Sequence, residues 1–189
     1  MSGGDARERL LAATLACFER QGMAATSLED VANQAGLSRA TVYRTFPGGR
    51  DQLVSDTVSW EIGTFLARLG EAVADDEGVH AVLTHALMVG HRAISEHRLL
   101  HQLLSTEPEA LYRELLGTEP LLHELVRDYI AELLAHEEVR AGVDRLEAAD
   151  HLARLFLSYL GTPGSWDLDD PVAVDHLVRT QFLAGVLAA

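Results

Sequence analysis

Arg39, Thr41 and Tyr43 fall within little more than one helical turn. A guanidinium fork, a hydroxyl and a phenol at that spacing suit the base edges and backbone of a nucleic-acid duplex. An arginine can pair with O6 and N7 of guanine, a contact worth about 1–3 kcal/mol of discrimination against a wrong base. The alternative for Arg39 is a solvated surface arginine, and for Tyr43 it is closure of a small local core. The other side chains that could do chemistry point to less. Among nine histidines, His97 and His101 lie one turn apart, so both imidazoles could meet one ion. A third ligand at fixed spacing is missing and Glu96 is adjacent rather than on the same face, so no metal site is expected. There is no P-loop, nucleophile elbow or CxxC. His136-Glu137-Glu138 lacks the second histidine of a zinc-protease motif. Neither a catalytic residue nor a cofactor is expected, and the chain does not read as an enzyme.

The elements that must position Arg39, Thr41 and Tyr43 are legible in Thr26 to Arg50. Ser27 can cap a helix, and Asp30 three residues on completes a capping-box pattern. Leu28, Val31, Ala32 and Ala35 recur at i, i+3, i+4 and i+7, the apolar stripe of a two-turn helix. Gly36 ends it, because the position after a helix favours positive φ and glycine takes that without steric cost. Leu37 follows as a buried turn residue. Ser38 caps a second helix whose Val42 and Phe46 face inward one turn apart. Two short helices joined by a glycine turn make a helix-turn-helix, a unit whose second helix enters the DNA major groove.

The remaining chain reads as helix almost throughout, without strand-type alternation. A first helix is expected from about Asp5 to Gln21, with Gly22 as its terminator. After the Pro47-Gly48-Gly49 turn, a long helix is expected over Asp51 to Ala74, broken by Asp75-Asp76-Glu77-Gly78. An apolar helix follows from Val79 to about Glu96, then a short one carrying Leu99, Leu100, Leu103 and Leu104. Thr106-Glu107-Pro108 and Thr118-Glu119-Pro120 both read as helix starts, with threonine as cap and proline in the first turn. Leu146–Leu160 and Pro171–Leu187 complete a set of about nine or ten helices. The fold class is therefore all-α: an N-terminal three-helix DNA-binding domain over residues 1–50, and a larger helical domain over residues 51–189.

The net charge of −14 over 189 residues is the wrong sign for a DNA binder until it is divided. Residues 1–50 hold six arginines against five acids, a net +1, and the remainder holds nine arginines against 24 acids, a net −15. That asymmetry turns the N-terminal end toward a polyanion. All fifteen basic residues are arginines, which genome composition explains adequately. The lone Cys17 cannot form an internal disulfide and sits in an apolar pattern, which fits a reduced, cytoplasmic protein. No basic neighbour is evident in sequence to make it reactive. Neither a signal peptide nor a membrane span is visible.

Residues 8–55 resemble the TetR/AcrR family of transcriptional regulators. The resemblance rests on T-S-L-x-D-V-A-x-x-A-G-L-S-x-x-T-V-Y-x-x-F followed by a turn and a basic residue. Beyond it, the likeness is one of length, helicity and loop placement. The resemblance implies that Arg39, Ala40 and Thr41 face base edges, and that Tyr43 and Thr45 contact phosphates or sugars. It further implies that Thr26 or Ser27 binds phosphate through its hydroxyl and a free N–H at the preceding helix start. Arg50, after one extra glycine, stands where the family usually has a phosphate-gripping lysine. Arg7 and Arg9 could approach the backbone or be ordinary solvated charges.

The same resemblance implies a homodimer on a palindromic operator, with Leu146–Leu160 and Pro171–Leu187 forming a four-helix bundle between subunits. It also implies a small-molecule effector bound in the larger domain, which releases the protein, a repressor, from its operator. Phe65, Leu87, Met88, His91, Leu104, Leu125, Tyr129 and Phe156 are the expected ligand-binding residues, although plain core is the commoner role for each. Apolar walls with a few histidine and tyrosine tips suit a largely apolar effector.

Overall fold

The computed structural model describes residues 3–188. Nine α-helices occur among them: α1 (Gly3–Gln21), α2 (Leu28–Ala35), α3 (Arg39–Thr45), α4 (Gly49–Ala72), α5 (Gly78–Ser95), α6 (Arg98–Thr106), α7 (Pro108–Ala135), α8 (Arg145–Gly161) and α9 (Pro171–Leu177). A π-helical turn, Val178–Phe182, continues α9. The chain forms two compact units. The first runs to Phe65 and takes in His97–Glu119; the second comprises Leu66–Glu96 and the described residues from Pro120 onward. Both α4 and α7 contribute to each of the two units.

In the first unit, α1 carries Leu10, Ala13 and Cys17 at helical spacing against Val31, Ala32 and Ala35 of α2. Val42 and Phe46, both with no exposed surface, lock α3 onto the same cluster. Burying those two side chains stabilises the unit by roughly 1.5–3 kcal/mol each. A second cluster joins Phe18 and Met23 to Val54 of α4, Leu99 and Leu103 of α6, and Leu111 of α7. Leu104, expected to line a ligand site, is instead packed against this cluster, because its position on α6 turns it toward the first unit's own core.

In the second unit, α5 is central and meets α8, α9 and the π turn. Its Val79, Val82, Leu83, Ala86 and Leu87 are buried, as are Ile130 and Leu134 of α7 and Leu152, Ala153 and Phe156 of α8. His123 of α7 is buried and meets Asp150 of α8 at 2.8 Å. That hydrogen bond, and a second from Arg154, hold the Asp150 carboxyl below the usual carboxylate range.

Two helix boundaries differ from the sequence expectation. Thr118-Glu119-Pro120 does not start a helix; α7 runs through it with Pro120 inside. The Thr118 hydroxyl donates to the Leu115 carbonyl at 2.9 Å instead of capping a new helix. Pro120 costs α7 one N–H donor, and Val126, Ile130 and Leu134 on the buried face hold the helix together beyond it. The last helix is also shorter than expected. After the π turn the chain folds back, and the Arg140 N–H reaches the Val186 carbonyl while the Ala188 N–H reaches Glu138, each at 2.9 Å. Val139 and Leu187 form an antiparallel bridge there. Ala184 and Gly185 thus lie in a turn, not on a helix face.

Candidate nucleic-acid interface and an apolar cavity

The helix-turn-helix is built by the local chemistry of its caps. Ser27 Oγ accepts the Asp30 N–H at 3.2 Å, and Asp30 Oδ2 accepts the Ser27 N–H at 3.0 Å. These bonds to Ser27 hold the Asp30 carboxyl below its ordinary range. Gly36 closes α2 at φ 62°, the left-handed conformation that favours glycine. The Leu37 N–H then returns to Ala32 at 2.9 Å. Ser38 Oγ accepts the Thr41 N–H at 3.1 Å and starts α3. With Val42 and Phe46 buried, Arg39, Ala40, Tyr43 and Arg44 form the outward arc of α3, all exposed.

Tyr43 is 54% exposed, so it does not close a core. Arg39 is exposed but engaged: its Nη2 lies 3.2 Å from Glu29 Oε2 across the helix-turn-helix. Thr41 shares its hydroxyl with Ser38 at 2.9 Å, and the Thr45 hydroxyl donates to the Thr41 carbonyl at 2.9 Å. Both are half-buried. The Ser27 hydroxyl donates to Asp30 at 2.6 Å. Thr26 is buried, and its hydroxyl donates to the Gly22 carbonyl at 2.7 Å. Of the two residues expected at this helix start, only Ser27 lies at the surface. Arg44 was overlooked in the sequence, yet it follows Ala40 by one turn and shares its face.

Arg50 has structural work. Its Nε donates to the Thr26 carbonyl at 2.8 Å, and Nη2 donates to Met23 and Ala24. From the other side, Glu107 accepts the Ala24 N–H at 2.7 Å. Gly22, at φ 83°, permits that approach, since a Cβ there would collide with the Glu107 carboxylate. The turn leading into α2 is thus held by a cation on its carbonyls and an anion on its N–H. The extra glycine also finds a role: Gly49 takes φ 70°, and the Gly48 N–H is met by Gln52 Oε1 at 2.8 Å. Arg7 and Arg9 serve the fold as well. Arg9 donates to the Ala35 carbonyl at 2.7 Å, and Arg7 pairs with Asp56 at 3.2 Å over the Phe46 ring.

His97 caps α6 by accepting the Leu100 N–H at Nδ1, 3.1 Å, while Nε2 faces Glu61 at 3.4 Å. The Glu61 hydrogen bond draws its pKa upward. Both ring nitrogens of His97, one of the two histidines considered for a metal, are therefore engaged. Among the described residues no group of three or more metal-ligating side chains converges. Cys17 is buried, and unlike the sequence expectation it has a basic neighbour, with Arg20 Nη2 3.4 Å from its sulfur.

The second unit contains an apolar cavity of about 280 Å³ between the Leu66–Val73 part of α4, α5, α7 and α8. Of the expected ligand-binding residues, Leu125, Tyr129 and Phe156 line it. Leu87 is fully buried away from it, Met88 and His91 lie elsewhere on half-buried faces of α5, and Phe65 belongs to the first unit. Much of the wall is aliphatic and lies outside the expected set: Val73, Val82, Leu83 and Ile130, with a gap at Gly70.

Residues 10–57 match the profile of the bacterial regulatory proteins of the tetR family. The chain is 35% identical over 88 residues to the HTH-type transcriptional regulator LmrA of Bacillus subtilis, a match covering 44% of this chain and 46% of LmrA. It thus spans less than half the length of that curated relative. Over 94% of the chain and 98% of its counterpart, the fold resembles the TetR family repressor AlkX from Dietzia, implicated in biodegradation of n-alkanes, with a TM-score of 0.66 and 23% identity. It also resembles SmeT, solved as a complex with triclosan, over 97% of this chain and 92% of SmeT, with a TM-score of 0.61 and 23% identity. The helix-turn-helix segment thus matches the tetR family profile, and the chain is similar in its all-helical fold to these solved repressors.

Proposed function

We propose that the protein is a homodimeric, sequence-specific DNA-binding regulator that represses from a palindromic operator until a small, largely apolar effector releases it. The observation that carries this is the outward arc of α3. Arg39, Ala40, Tyr43 and Arg44 are exposed together on a helix whose opposite face is locked by Val42 and Phe46. In this reading Arg39 and Ala40 meet base edges, Tyr43 and Arg44 meet the backbone beside them, and Ser27 offers the start of α2 to a phosphate. Thr41 and Thr45 contribute from the flank of the helix. Arg50 acts mainly by fixing the turn before α2.

One helix-turn-helix reads few base pairs, so two copies about 34–36 Å apart would be needed for specificity. The second unit is the effector-binding and dimerisation part, with the cavity beside α7 as its ligand site. The triclosan complex of SmeT supports a small-molecule site in this fold. Among the described residues no helix is long and apolar enough to cross a membrane.

The test is selection of bound sequences from a random duplex pool using the full chain. A two-fold symmetric consensus with half-sites one helical turn apart is expected. Loss of preference at one position on Arg39→Ala would assign that residue to a base. Recovery of no enriched sequence, or binding that ignores salt, would overturn the reading.

A further inference from the structure

We infer that the cavity admits one compact, electrically neutral ligand and excludes charged ones, and that Gly70 sets the size it accepts. This rests on reading the cavity as the effector site. None of the fourteen residues around it ionises near neutral pH, and Tyr129 alone carries a polar side-chain group. Tyr129 is 42% exposed and Leu125 51%, so they stand on the open side, and the remaining wall is hydrocarbon. A charged group entering would surrender its hydration without a counter-ion, which is prohibitively unfavourable unless it neutralises. A neutral ligand gives up little and gains the burial of its apolar surface. The exclusion extends to cations, although the chain carries a net charge of −14 that would otherwise attract them.

The volume of about 280 Å³ lies at the small end of the roughly 300–1,000 Å³ typical of ligand sites, so the ligand is compact. Gly70 explains where the room comes from. It lies within α4, where alanine would be more stable, and a Cβ built there meets nothing within 4 Å. The wall lacks a side chain at a place where one would fit. A larger residue at position 70 would fill the cavity while keeping the helix.

The experiment uses the full chain and three fluorescent probes of one skeleton: neutral N-phenyl-1-naphthylamine, its sulfonate and its trimethylammonium derivative. Titration should give one neutral probe bound per chain, with both charged congeners weaker by about a hundredfold or more. Gly70→Leu, checked for unchanged helicity and an undiminished melting temperature, should lose the neutral probe; Gly70→Ala should weaken it while melting no lower than the parent. The inference is overturned if the neutral probe fails to bind, if a charged congener binds as tightly and is lost in Gly70→Leu, or if Gly70→Leu binds the neutral probe undiminished. Operator affinity measured with saturating neutral probe separates the two readings. A probe that binds in the Gly70-dependent way and leaves operator affinity unchanged upholds the ligand class and removes the regulatory role of the cavity.

Discussion

Single residues around the turn before α2 divide between those proposed to meet DNA and those that hold the helix-turn-helix together. Arg50 spans three carbonyls, those of Met23, Ala24 and Thr26, and a guanidinium is the side chain whose fork can do so. Charge-assisted hydrogen bonds to a partly exposed group contribute about 1–2 kcal/mol net. Arg50→Ala is therefore expected to lower unfolding free energy by about that amount in urea denaturation, and Arg50→Lys to recover little of it. An unchanged stability together with a flatter salt dependence of DNA binding would return Arg50 to a phosphate-gripping role. The sequence held the identity of Arg50 but not its partners, because carbonyls 24 or more residues away leave no mark in local spacing. Arg39 and Tyr43 were legible for the opposite reason: their positions follow from the period of one short helix. Thr26 and Ser27 stay alternatives in sequence because a cap pattern does not say which of two adjacent hydroxyls faces solvent.

At the scale of elements, α2 and α3 were readable nearly to the residue, since Ser27, Asp30, Gly36 and Ser38 are caps whose chemistry is local. The second unit was less readable. A threonine-proline pair looks alike at a helix start and inside a helix; the buried face of α7 decided for continuity, and no window around Pro120 contains that face. Proline inside a helix is about 3 kcal/mol less favourable than alanine. Pro120→Ala should accordingly stabilise the protein, by about 1–3 kcal/mol in chemical denaturation. A loss of stability instead would mean that the packing around Pro120 depends on its ring. Phe46→Ala, which empties the centre of the α1–α3 cluster, should cost about 3–5 kcal/mol and abolish DNA binding through loss of α3, visible as lost helicity.

For the whole molecule, charge sets how it responds to acid and to salt. Ser27 holds Asp30, and His123 holds Asp150, below their ordinary value of 3.8. A carboxyl with a depressed folded pKa contributes stability above its unfolded pKa and loses it as pH falls through the folded one. Melting temperature should thus fall below about pH 4, and Asp150→Asn should remove part of that slope while lowering stability at neutral pH. A slope identical to the parent would sink this assignment.

Glu29 gives the charge balance a kinetic side. Its carboxylate lies 3.2 Å from one arm of the Arg39 guanidinium, the fork that the proposed function assigns to a base. On the proposed reading, Arg39 must leave Glu29 before its fork can meet a base, and the same carboxylate repels any duplex phosphate that approaches it. Glu29→Gln should tighten binding to duplex DNA and slow its dissociation, read by association and dissociation rates on one duplex. Unchanged rates in Glu29→Gln would reduce the pair to an ordinary surface contact.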